Sequence, residues 1–123
     1  MTVRAQLAAH LDEHLPSLFR VIPYAKGLDR IEAKSVVVMV YRERVNPAPQ
    51  FDRLVNTLRV WILDPRVKPG QVDDSLDDSL DIVLAALDAS QLTTWTDAER
   101  GLWGDDEYAG YSITCETTTS KEL

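Results

Sequence analysis

The spacing of apolar and polar residues divides the chain into a few segments, each with its own period. Val3, Leu7, Leu11 and Leu15 recur every four residues and cover one side of a helix on which Asp12 lies opposite. Thr2 can cap that helix and Pro16 stops it near Leu15. LFRVIPY, residues 18–24, follows as a short strand, and Pro23, which has no N–H for a ladder, places it at a sheet edge. Lys26-Gly27 then turns the chain. In KSVVVMVYRERV the β-branched residues and Tyr41 predict a strong strand from about Ala33 to Arg44. A second runs through NTLRVWILDP, residues 56–65, with Leu58, Val60 and Ile62 facing one way and Arg59, Trp61 and Leu63 the other. Between the two lies NPAPQFDR, whose prolines favour a polyproline conformation and predict a stiff projecting connection instead of a tight hairpin.

DPRVKPGQV is a loop punctuated by Pro65, Pro69 and Gly70. In VDDSLDDSLDIVLAALDA, residues 72–89, Leu76, Leu80, Val83, Leu84 and Leu87 fall within about 100° on a helical wheel, giving a second amphipathic helix from about Ser75 to Ala89. Asp73, Asp74 or Ser75 caps it, and Asp77 and Asp78 fall in its first turn, where carboxylates meet the positive end of the helix dipole. A short strand is expected at 92–98 and another at about 108–118, with Tyr111, Ile113 and Cys115 inward; residues 118–123 read as a frayed tail. The whole forms one domain over residues 1–123. The simplest architecture is α+β: a mainly antiparallel sheet of about four strands, with two amphipathic helices packed on one face and the other face open.

Composition narrows the functional classes. No apolar run approaches the roughly 20 residues of a membrane span, and the N-terminal MTVRAQLAAHLDEHL lacks a basic segment followed by an apolar one, so no membrane partner and a cytosolic start are expected. Cys115 is the single cysteine, which excludes an internal disulfide and a cysteine zinc cluster. The net charge is −7, divided unevenly: residues 1–60 carry nine Arg/Lys and six Asp/Glu, residues 61–123 four and fourteen. Without a basic stripe the chain is poorly suited to gripping nucleic acid.

Two segments imitate chemistry. Counting from Asp73, an EF-hand loop needs glycine at its sixth position and glutamate at its twelfth, where this chain has Asp78 and Leu84. His10-Leu11-Asp12-Glu13-His14 matches H-x-x-E-H, the arrangement of inverted zinc metalloproteases. Yet the helix ends at once, His14 falls within the apolar stripe, His10 at its rim, and no third ligand is signalled. There is no glycine-rich phosphate loop, no G-x-S-x-G and no cysteine beside a histidine, so no enzyme, cofactor or metal is expected. A compact acidic domain of this kind reads as an interaction or structural protein.

The strings VVVMVYRERVNPAP, LRVWILDP, DDSLDDSLDIVLAALDA, TTWTDAERGLW and YAGYSITCETT, in this order after a short amphipathic helix, resemble the tail terminator proteins of long-tailed phages, especially those infecting actinobacteria. The likeness runs from about residue 3 to 117. It implies a virion protein at the head-proximal end of the tail, assembled in the host cytoplasm as a six-membered ring of identical chains. That ring caps the tail tube, stops its polymerisation and presents the surface to which head completion proteins attach, while DNA passes through without specific binding. No catalytic residue comes with the resemblance. A ring of one chain needs two different patches that fit each other, and the basic first half and acidic second half could supply them. Candidate contacts are Arg42, Arg44, Pro47, Pro49 and Trp61, with Arg66 and Lys68 in the following loop; Asp77, Asp78 and Asp81 are candidates for a lumen that repels phosphate. A head–tail connector of similar size and a non-viral binding module using the open sheet face are the competing readings.

Overall fold

The computed structural model describes residues 2–23, 35–64, 73–103 and 108–120. Helix α1 (Val3–His14) leads into strand β1 (Phe19–Ile22), then β2 (Val36–Pro47) and β3 (Arg53–Leu63); helix α2 (Asp73–Asp88) precedes β4 (Thr94–Trp103) and β5 (Tyr108–Ser120). The strands form one sheet in the order β1-β2-β3-β5-β4. The fold is α+β as expected, with two corrections to its detail. Among the described residues there are five strands, because the short segment expected at 92–98 is a full strand, Thr94–Trp103, beside β5. The sheet is also mixed: β1 runs parallel to β2, while the other three pairings are antiparallel. Apolar alternation specifies which face a strand buries and carries no information on strand direction.

Thr2 caps α1 with its hydroxyl accepting from the Ala5 N–H at 3.1 Å, and Leu15 ends the helix in extended conformation. Leu7 and Leu11 are fully buried and Leu15 nearly so. They pack with Val83, Ala86 and Leu87 of α2 onto Val36, Val38, Val40, Leu58, Val60, Ile62, Ile113 and Cys115. One face of the sheet therefore carries both helices, and each buried leucine in this layer contributes about 2 kcal/mol of hydrophobic stabilisation. Cys115 is a small core residue whose burial pushes its thiol up to about 12. Such a thiol is not a nucleophile near neutral pH.

The proline-rich connection is the main departure from expectation. β2 runs on through Pro47, which pairs with Leu54, and a short loop returns the chain to β3. The Ala48 N–H donates to the Arg53 carbonyl (3.0 Å) and the Arg53 N–H to that of Gln50 (3.3 Å), with Asp52 taking the left-handed conformation (φ 70°). A hairpin forms because β1 pairs with β2 only as far as Met39, so Pro47 lies on a free strand edge where its missing N–H breaks no ladder. The end of the chain differs too: Thr118–Ser120 are not frayed but continue β5 opposite Arg53–Val55. The Lys26-Gly27 turn, the loop after Asp64 and residues 121–123 lie outside the described residues.

Candidate functional site

Beyond the reach of β1 and β4, the distal parts of β2, β3 and β5 form a three-stranded end. Its register shifts between Arg42 and Arg44, so Glu43 is an extra residue and the alternation inverts. Val45 and Pro47 take over the helix-side face, opposite Asn56 and Leu54, while Arg44 joins the other face opposite Thr57. This end carries exposed Arg42, Arg44 and Arg53, none of which makes an ion pair among the described residues. At the tip Phe51 is 92% exposed.

On the helix-side surface of this end only the start of α1 comes near, with Thr2, Val3 and Gln6. A groove of about 610 Å³ opens there, lined by Val3, Arg42, Arg53, Leu54, Asn56 and Leu92 among others. Asn56 itself is buried, its amide donating to Thr119 Oγ1 (2.9 Å) and to the Thr117 carbonyl (3.4 Å). It holds the place that Leu58, Val60 and Ile62 hold further along β3, which is how a polar residue in a core register could have been picked out of the sequence.

Helix α2 presents the opposite charge. Leu76, Ser79, Val83, Ala86 and Leu87 are buried, and Asp74, Asp77, Asp78, Asp81 and Asp88 are exposed. Since Asp73 is already helical, Asp74 and Ser75 lie inside the helix instead of capping it, and Asp77 and Asp78 fall beyond its first turn. Ser75 donates a hydrogen bond to buried Asp64. Two of the carboxylates are occupied internally. Asp77 accepts from the Tyr111 hydroxyl at 2.8 Å, which with partial burial raises the Tyr111 phenol above its usual range, Arg100 acting against it. Asp88 accepts from Trp95 Nε1 at 2.9 Å. Asp74, Asp78 and Asp81 point outward on one stripe, with exposed Ala85 in line and Ile82, 40% exposed, beside it.

The remaining sequence candidates separate. Pro49 is exposed in the hairpin loop; Arg66 and Lys68 lie outside the described residues. Trp61 is on the far face of the sheet, where its ring meets Trp103 edge-on at 5.1 Å and its Nε1 donates to the Tyr41 hydroxyl (3.2 Å). Val37, Met39, Leu63 and Ile22 are buried with this cluster. Nearby Arg59 is held by Glu43 (2.7 Å), which raises its pKa, and donates to Ser112 Oγ (2.8 Å). Sequence spacing gave no sign of this pair, since it depends on the bulge.

The histidines are engaged in structure. His10 Nε2 hydrogen-bonds the Ala86 carbonyl at 2.8 Å, tying α1 to α2, and His14 Nδ1 lies 2.9 Å from the His10 carbonyl. His14, expected within the apolar stripe, is exposed and stacks on His10 with ring centres 4.0 Å apart. It occupies the last position of the helix, next to buried Leu15. Among the described residues no three His, Cys, Asp or Glu side chains come together as a metal site, and no helix is long and apolar enough to cross a membrane. No family model and no characterised protein matches the sequence.

Proposed function

We propose that this chain is a phage tail terminator, a ring-forming structural protein that caps the head-proximal end of the tail tube, stops its polymerisation and offers the head-attachment surface. The observation that carries the reading is the coexistence, in one small domain, of a projecting basic end and an exposed acidic helix face. A ring of identical chains is closed by heterologous contacts, and those need two unlike patches of matching character. The order of segments that resembles tail terminators supports the same role, and the net charge of −7 suits a ring through which DNA slides without being held. In this reading the ring is a hexamer, its partners are the tail tube protein and a head completion protein, and its place is the virion. It performs no catalysis and needs no cofactor.

The reading is tested on the tube itself. Purified protein added to polymerising tail tube protein should arrest growth at far less than one copy per tube subunit, because one ring blocks one growing end. Tubes that lengthen at an unchanged rate would contradict it.

A further inference from the structure

The helical layer of this fold stops before the sheet does. α1 and α2 cover the helix side of β2, β3 and β5 as far as Val40, Leu58 and Cys115, whereas Val45 (37% exposed), Pro47 and Leu54 continue the same surface without a helix over them. The groove beside this shelf, where Leu54 and Leu92 lie among threonines with Arg42 and Arg53 at its border, suits a helix that presents carboxylates with a single apolar side chain. The chain itself carries such a surface: the outward stripe of α2, with Asp74, Asp78 and Asp81 beside Ile82 and Ala85. These three carboxylates make no hydrogen bond or ion pair among the described residues, and neither do the Arg42 and Arg53 guanidinium groups.

We infer that the shelf of one copy receives α2 of the next, so that the helical layer continues across the subunit boundary. This deepens the ring reading and rests on it. The occupant is a second copy of this chain because opposite charges are set out on two faces of one sequence: Arg42 and Arg53 beside Val45 and Leu54 on one, aspartates and Ile82 on the other. Since the two patches differ, the contact is heterologous and propagates around a ring instead of stopping at a dimer. It also assigns Asp78 and Asp81 to a subunit contact and not to the lumen, and it leaves Asp77 to its bond with Tyr111.

Two double charge reversals test it, both at exposed positions: Arg42→Asp with Arg53→Asp, and Asp78→Arg with Asp81→Arg. Each variant alone opposes like charges across the boundary and should weaken self-association by roughly 100-fold, read by sedimentation velocity over a concentration series. Mixed in equal amounts the variants should assemble again. The acidic shelf of the first then meets the basic helix of the second, while the second's unaltered shelf meets the first's unaltered helix, giving an alternating ring. Thermal unfolding near the wild-type temperature for each variant confirms that assembly, not folding, has changed. If wild type assembles and either variant assembles equally well, or if the mixture stays dissociated, the shelf-to-helix contact is wrong while the ring reading stands. Full assembly by the Asp78→Arg/Asp81→Arg variant is the outcome that a lumen-facing helix predicts. A wild-type chain that stays monomeric at every concentration overturns both.

Discussion

Replacing Gly110 by alanine is expected to destabilise the protein by about 3 kcal/mol, lowering the midpoint of thermal unfolding by on the order of 10 °C. Gly110 lies on β5 between Leu63 of β3 and Gly101 of β4. A Cβ there would stand 2.3 Å from the Ile62 carbonyl oxygen and 2.5 Å from Leu63 Cδ2. The leucine can turn away, but the carbonyl belongs to the central ladder and cannot move without separating β3 from β5. Gly101 supplies the comparison, since its added Cβ would meet only the Trp61 ring, at 3.1 Å. Gly101→Ala should therefore lose no more than about 1 kcal/mol, with a small shift of the ring. Differential scanning calorimetry of the two variants decides the matter: equal midpoints would mean that β5 does not lie against β3 in this register.

Leu11→Ala should have a similarly large effect for the opposite reason. Leu11 is fully buried where α1 meets α2 and the sheet, and truncating it removes apolar contact and leaves a hole that the surrounding β-branched side chains cannot fill. Leucine-to-alanine changes at such sites lose about 3 kcal/mol, of the order of a third of the stability of a typical domain. Leu102, 55% exposed on β4, is the matched surface leucine, and Leu102→Ala should change stability by less than about 0.5 kcal/mol. Chemical denaturation of both variants measures this difference. Near-equal losses would show that α1 is not packed as described.

The faces of the elements were legible because burial imposes a period. Leu7 and Leu11 on α1 with Leu15 at its end, Val83 and Leu87 on α2, and Leu58, Val60 and Ile62 on β3 all fall where spacing placed them. Thr2 is the cap the sequence indicated. What was not legible depends on partners distant in sequence. Two prolines in NPAPQFDR predicted an open connection, yet Pro47 is accepted in β2 because that stretch has a neighbour on one side only, a fact of sheet order and not of local chemistry. The bulge at Arg42/Arg44 separates two arginines that read as one patch and brings Glu43 to Arg59. Of the expected contact residues, Arg42 and Pro47 share the helix-side shelf with Leu54, Arg44 faces away, and Trp61 belongs to a separate aromatic cluster with Tyr41 and Trp103. The aspartate run looked like a uniform face, but Tyr111 and Trp95 each occupy one carboxylate and leave a narrower stripe.

The proposed role is tested most directly in the virus. Deleting the gene from a phage or prophage genome that carries it, and imaging the lysate by negative-stain electron microscopy, should yield tails of variable and excessive length unattached to filled heads, with normal virions restored by supplying the protein in trans. Tails of normal length lying apart from filled heads would contradict termination and point to a head–tail connector, and intact virions would remove the protein from the particle altogether.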